Sequence, residues 1–444
     1  MENALEQTSE RISPLQFLVA ALCFLTVLID GFDTQSAAFA GPLLKREFAG
    51  GPEALGFIFG LGMLGGLLGA VLIGPLGDRF GRRPLLIVAL IIISGGSLVT
   101  CLARSAHEIA WLRLMTGIGL GGAVPNVIAL TAEYAPPRWR STIVAIVFNG
   151  FPLGAMLGSI LGAQLLPVFG WRALFLVGGV TPLIVLVLVA SLLPESPHFL
   201  ARSGQAERLR RIVARLGNSA QAILTERKSG EPVARGSVSA LFSKGLLAST
   251  ILIWIGTFFS ILCIYCTVNW LPTLIADGGL PLQTAILAVG ALNIGSTIGN
   301  IILARFGDRT APYVPTAIFY FLGAVFLVVI GVSVASSALM LSVAFGAGLF
   351  GFGAQLSVTT ITARLYPTEL RATGTGWSFA IGRLGGVAGP VFAGFLLGSG
   401  MSFATMMTIL GGLMLLSGVA ILCLGRTRNA RESHAIAPTL QSGS

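Results

Sequence analysis

Apolar runs of membrane-spanning length follow one another along this chain, beginning near residues 16, 54, 84, 107, 141, 171, 246, 284, 313, 337, 372 and 401. About 20 helical residues cross a hydrocarbon core of roughly 30 Å. In lipid, a segment must satisfy its own backbone hydrogen bonds, which restricts such runs to helices. The predicted fold class is therefore an all-α membrane protein with twelve transmembrane helices. Composition agrees, since only 10% of residues are charged and 54% are hydrophobic, whereas soluble domains carry about 25% charged residues. The net charge of +10 would suit a nucleic-acid partner only if it formed one patch. Here the basic residues are scattered through the short segments between runs, so the expected partner is the lipid bilayer and no nucleic acid.

Their scatter has a pattern. Arg11, Arg79, Arg82, Arg83, Arg138, Arg140, Arg305, Arg309, Arg364 and Arg371 fall in alternate segments, together with the basic residues of the central stretch and of the tail. The intervening loops hold only Lys45, Arg46, Arg104 and Arg172, while Arg113 and Arg383 lie inside runs. Positive charge is retained on the cytoplasmic side during insertion, which predicts that both termini are cytoplasmic. The opening MENALEQTSER has no basic segment or small-residue cleavage site, so insertion is expected to use uncleaved helices. The five cysteines all sit in apolar runs, where a thiol is a packing group and no disulfide framework is indicated.

The chain divides into a cytoplasmic segment 1–15, a six-helix bundle 16–193, a polar central loop 194–245, a second six-helix bundle 246–425 and a tail 426–444 expected to be disordered after Leu424. Within the loop, AERLRRIVARLG has the pattern of a short basic amphipathic helix. The bundles are related. GPLGDRFGRRP at 74–84 returns as ARFGDRTAPYVP at 304–315, aligning Asp78 and Arg79 with Asp308 and Arg309, and YAPPRWRST returns as YPTELRATG, aligning Arg140 with Arg371. Two matched loops at one spacing, about 230 residues, indicate duplicated six-helix bundles, a transporter architecture. Several GxGxxG matches, such as Gly117, Gly119 and Gly122, have no preceding strand, so they are read as helix-packing residues and no cofactor is expected.

Ionisable groups inside spans are costly and mark function. The first run carries Asp30 and Asp33, which at i and i+3 share one helical face. At 1.5 Å per residue, Asp30 lies roughly 8 Å and Arg113 roughly 9 Å from the outer boundary, so an Asp–Arg pair is geometrically accessible. Arg383 falls nearer the midplane. An aspartate beside an arginine stays ionised, whereas one in an apolar site takes up a proton. A substrate carboxylate that draws Arg113 or Arg383 toward itself would thus raise the proton affinity of the acids, coupling anion to proton. Asn126, Gln355 and Trp377 are candidate substrate contacts, with Phe32, Tyr265 and Trp270 as further aromatic candidates. An intramembrane protease dyad would need carboxylates converging from two helices, and these share one. No enzyme activity and no metal site is expected.

These features resemble the major facilitator superfamily from about residue 12 to 425. The GxxxDRxGRR loop motif stands at Gly74, Asp78, Arg79, Gly81, Arg82 and Arg83, and RxxxGxGxG at Arg113, Gly117, Gly119 and Gly121. Within it the chain is most similar to the aromatic acid:proton symporters, through Asp30-Gly31-Phe32-Asp33, GGAVPN, Glu133-Tyr134, WLPTL and LYPTELRATGTGWSFAIGRLGG. ESPHFL departs from that pattern by placing His198 where arginine is usual, and the second loop keeps only GDR. The acidic motif that sugar porters carry after the last helix is absent from LGRTRNARES, which counts against sugar transport; the alternatives within the superfamily are proton-coupled efflux and transport of a sugar or another organic anion. The resemblance implies helices 1, 4, 7 and 10 around a cavity, a monomer, a bacterial inner membrane, and import of an aromatic carboxylate with protons. It also implies gating by Asp78, Arg79, Arg82, Arg83, Glu133 and Arg371, with Asp78 meeting the start of helix 11 near Arg371 and Gly374. Glu133 is expected to pair with an arginine such as Arg140.

Overall fold

The computed structural model describes residues 12–48, 50–216, 237–243, 245–307, 312–333 and 336–441. Arg11, and Asp308 and Arg309 of the second repeated loop, lie outside the described residues. Twelve helical spans are long and apolar enough to cross a membrane among those described: α1 Pro14–Phe48, α2 Gly51–Phe80, α3 Arg82–Thr100, α4 Ala106–Tyr134, α5 Pro137–Phe169, α6 Trp171–Leu192, α7 Leu247–Asp277, α8 Leu282–Arg305, α9 Tyr313–Val332, α10 Ser337–Leu365, α11 Glu369–Gly398 and α12 Phe403–Thr427. Two short helices, Pro197–Arg202 and Ala206–Leu216, come after α6. The second is the amphipathic segment expected from AERLRRIVARLG. The last helix does not fray after Leu424 but continues to Gln441. Extending a helix that is already nucleated needs only propagation, and the Arg, Ala and Glu residues there favour it.

Contacts divide the chain into two units, 1–49 with 61–233 and 50–60 with 234–444. In the first, α1 packs on α5, α4 and α6, and α3 packs on α4 and α6. In the second, α7 packs on α11, α10 and α12, and α9 packs on α10 and α12. The same pairings occur in the same order, so the duplication seen in two loops extends to the packing of the helices.

The helix contacts fix its register. A Cβ on Gly154 would overlap the Leu28 carbonyl, and one on Gly385 would overlap the Phe258 carbonyl. Likewise Gly65 faces the Leu114 carbonyl and Gly295 the Phe345 carbonyl. Small residues let backbones meet directly, which is how helices associate where lipid supplies no hydrophobic drive between them. Both members of each contact recur at a spacing of about 230 residues, as two parallel repeats require. The ends match too. Ser105 caps α4 by accepting from the Glu108 amide at 3.2 Å, and Ser336 caps α10 by accepting from Leu339 at 3.2 Å.

Close approach at Gly154 contrasts with Gly95 in α3, where an added Cβ would meet nothing within 4 Å. Forcing a methyl into a filled contact costs about 1–3 kcal/mol. Gly154→Ala is expected to lower the unfolding temperature of purified protein by several degrees, and Gly95→Ala to leave it unchanged or raise it. A thermal shift series on the two variants measures this.

Candidate functional site

Among the described residues, two charged side chains are buried inside the first unit, and they meet. Asp33, on α1, is 0% exposed, and Arg113, on α4, is 3% exposed. Arg113 Nη1 donates to Asp33 Oδ2 at 2.8 Å and Nη2 donates to the Asp33 backbone oxygen at 2.9 Å. The second carboxylate oxygen, Oδ1, accepts from the Ser97 hydroxyl of α3 at 2.9 Å. Ser36 Oγ adds a donation to the Asp33 backbone oxygen at 2.7 Å. The guanidinium also lies over the Phe175 ring of α6, with its carbon 5.9 Å from the centroid. Four helices thus meet at one ion pair. Gly178 of α6 lies beside it, a Cβ there coming to 3.5 Å from Asp33 Oδ1, an ordinary van der Waals contact.

The two acids of the first helix part company. Asp33 is enclosed, whereas Asp30, one turn earlier, is only half-buried and accepts from Thr34 Oγ1 at 3.3 Å. A 60° separation on the helix suffices to put one carboxylate in the unit's interior and the other at its margin.

The remaining candidates are dispersed. Arg383 on α11 is half-buried and stands over the ring of Phe379, one turn before it, at 5.1 Å. Trp377 is exposed and stacks on Trp254 at 6.1 Å between centroids. Gln355 comes just after a π turn, Gly348–Phe352, in α10, and its Oε1 accepts from Ser260 at 2.7 Å and Tyr320 at 3.3 Å. Such turns add a residue to the helix, rotating the side chains beyond them by about 100°. Asn126 is buried, donates to the Gly122 carbonyl at 2.9 Å and packs against Gly77 of the α2 loop. Its side chain is therefore directed into the first unit's packing. Phe32 lies against Gly158 and Gly178, Tyr265 against Gly386, and Trp270 donates to the Pro390 carbonyl at 3.0 Å.

The charged loop residues form a separate cluster. Glu133, at the end of α4, pairs with Arg82 at 2.9 Å and also accepts from the Ser196 hydroxyl. The positive φ of Gly81, 96°, turns the chain so that Arg82 opens α3 beside Glu133. Glu195 closes the same corner, its Oε1 accepting from the backbone amides of Arg82 and Arg83 at 2.9 and 3.2 Å, an anion on the positive end of a helix. His198 stands 3.5 Å from Glu133. Arg83 caps the other way, donating to the Ala190 carbonyl near the end of α6 at 2.6 Å. Asp78 bonds Arg82 at 3.1 Å, Arg79 lies over Phe80 at 5.4 Å, and Arg371 is exposed at the start of α11.

Residues 23–390 match the Major Facilitator Superfamily. The chain belongs to that superfamily. It is similar to the gallate transporter of Pseudomonas putida, with 39% identity over 431 residues and 96% of each chain covered. The 4-hydroxybenzoate transporter PcaK of Acinetobacter baylyi is 35% identical over 405 residues, covering 90% of this chain and 89% of the relative. Among solved structures, a bacterial homologue of the human lysosomal transporter Spinster matches with a TM-score of 0.74 at 15% identity, covering 93% of this chain and 97% of the other. That likeness is one of fold.

As a major facilitator protein the chain is a transporter and not an enzyme. Sequence reasoning missed Ser97, Glu195 and Ser196. Ser97 gave no signal, being one serine in an apolar run, but Glu195 and Ser196 stood in view within ESPHFL beside the noted His198.

Removing one partner of a buried ion pair strands the other charge, at a cost of about 3–5 kcal/mol, whereas removing both is far milder. Arg113→Met alone should therefore destabilise the protein strongly, and adding Asp33→Asn should recover most of the loss. Unfolding temperatures of the two single variants and the double variant, combined as a cycle, give the coupling.

Proposed function

We propose that this transporter imports aromatic carboxylates by proton symport and alternating access across a bacterial inner membrane. What carries the reading is the enclosed Asp33–Arg113 pair in a chain whose full-length relatives are carriers of gallate and 4-hydroxybenzoate. The loop arginines that alternate along the sequence support a cytoplasmic position for the termini and the Asp78 loop.

The geometry suggests a division of labour between the two intramembrane arginines. Arg113 already has one terminal nitrogen on the Asp33 carboxylate and the other on its backbone oxygen, so it serves as the counter-charge of the proton-accepting acid. Arg383 is half-buried, with a partner ring on its own helix, and is the better carboxylate receiver. Arginine suits that task because it remains cationic and forks onto a carboxylate. Gln355 and Trp377 supply a polar and an aromatic contact for a hydroxylated ring. Asp30, at the margin of the unit, hands protons toward Asp33. Protonating Asp33 while an anion binds keeps the net charge carried through the apolar interior low, which is the physical gain of symport. The cluster of Asp78, Arg79, Arg82, Arg83 and Glu133 acts in cytoplasmic gating, and Arg371 has a gating role in its own unit.

Uptake of a labelled panel (benzoate, gallate, 4-hydroxybenzoate and a hydroxyphenylpropionate) into proteoliposomes under an imposed pH gradient tests this. Wild type should accumulate at least one acid above equilibrium, and a protonophore should abolish the accumulation. Asp33→Asn should lose gradient-driven accumulation while remaining in the membrane, and Arg383→Gln should raise KM by tenfold or more. Full accumulation by both Asp30→Asn and Asp33→Asn would refute the proton-carrying role, and a protonophore that raised internal substrate would indicate export.

A further inference from the structure

We infer that Ser97 is the positioning residue that sets the proton affinity of Asp33, and so the external pH at which uptake is half-maximal. The assignment rests on the symport reading above, and it concerns a side chain that no motif singles out. Ser97 is 0% exposed, and its hydroxyl donates to Asp33 Oδ1 at 2.9 Å. Arg113 holds the other oxygen, Oδ2, at 2.8 Å. The two donors do different work. Arginine has only donors, so it satisfies the ionised carboxylate and offers nothing to an acid proton. A hydroxyl both donates and accepts. When a proton adds to Oδ1, the carboxylate becomes an acid whose O–H needs an acceptor, and Ser97 Oγ is already within hydrogen-bond distance. No heavy atom has to move, and no bond breaks other than the serine's hydrogen bond.

Among the described residues, the other groups around this carboxylate do not duplicate that role, and α5, packed along α1, brings no titratable residue beyond Arg138 and Arg140 at its start. From α3, the Cys101 thiol donates to the Ser97 backbone oxygen, at 3.6 Å. On α4 the charged group is Arg113. From α6 come the Phe175 ring beneath the guanidinium and Gly178, neither of them charged. On α1 itself Asp30 lies one turn away at the unit's margin. The repeat adds a second observation. Leu98 of α3 packs on Gly179, and Val328 of α9 packs on Gly411, which makes Leu327 the counterpart of Ser97. By the same register Cys263 and Ala344 stand where Asp33 and Arg113 do. Serine thus occupies this α3 position in the half that has the carboxylate, and leucine occupies it in the half that lacks one.

A hydrogen bond to the charged form favours that form. Being charge-assisted, the donation to the ionised carboxylate outweighs the neutral bond the hydroxyl could accept from the acid, and losing both leaves a net shift of about one pH unit. Removing the hydroxyl therefore strengthens proton binding. In proteoliposomes fed the labelled panel acid that wild type accumulates best, the external pH of half-maximal uptake should move upward by about one unit in Ser97→Ala. It should stay near wild type in Ser97→Thr, which keeps the hydroxyl. Ser97→Cys, a weaker donor, should fall between, and it carries the test if the alanine variant does not reach the membrane. Substrate exchange without a gradient, measured alongside, reports packing damage. An unmoved midpoint in Ser97→Ala, or in Ser97→Cys where alanine fails, overturns the assignment, as does a threonine variant that shifts as far as alanine. Reduced exchange and uptake at every pH around an unchanged midpoint would mean packing alone and overturns it equally. A wild type that accumulates nothing under a pH gradient defeats the symport reading itself, an outcome distinct from accumulation with an unmoved variant.

Discussion

A carboxylate withdrawn from water into an apolar helix bundle is tolerable only with a cation in contact and its remaining lone pairs occupied. Asp33 has its cation in Arg113, on Oδ2, and a second donor in Ser97, on Oδ1. Much of the first unit is organised around that requirement. It takes α1, α3, α4 and α6 to bring these groups together. The ion pair is consequently costly to break, and any event that changes its charge acts on four helices together.

The duplication shows how local this chemistry is. Backbone contacts at Gly154 and Gly385, and at Gly65 and Gly295, superimpose one half on the other in sequence register. Yet the positions corresponding to Asp33, Ser97 and Arg113 are Cys263, Leu327 and Ala344, a small packing set with no formal charge. Cys263 spends its thiol on the Leu410 carbonyl at 3.3 Å. The second half keeps a polar device of another kind, the Ser260–Gln355–Tyr320 cluster after the π turn. One scaffold therefore carries an ionic site in its first copy and a neutral hydrogen-bonding site in its second.

Much of the fold was legible because membrane burial leaves coarse marks: apolar runs of spanning length, basic residues in alternate loops, and loop motifs repeated at one spacing. The depth of Asp33 and Arg113 can be counted along their helices, and the two residues do meet. What the sequence hid was azimuth. Asp30 and Asp33 share a face by spacing, but whether that face looks into the bundle or along its margin depends on how α1 is rotated, and rotation is set by packing at residues such as Phe32. The same blindness concealed Ser97, whose apolar run gives no reason to prefer it over Ser94. Arg82 reaches Glu133 from another helix through the turn at Gly81, a meeting that proximity along the chain does not reveal. Polarity alone marks the tail as disordered, although helix continuation depends on the turn preceding it.

The two nitrogens of Arg113 are not equivalent in what they grip. One holds a side-chain oxygen whose charge can be cancelled; the other holds a main-chain oxygen whose dipole is permanent. Neutralising the acid accordingly slackens half of the arginine's mooring and leaves the other half fast. The tie between the guanidinium and the main chain of α1 does not depend on the charge of the carboxylate.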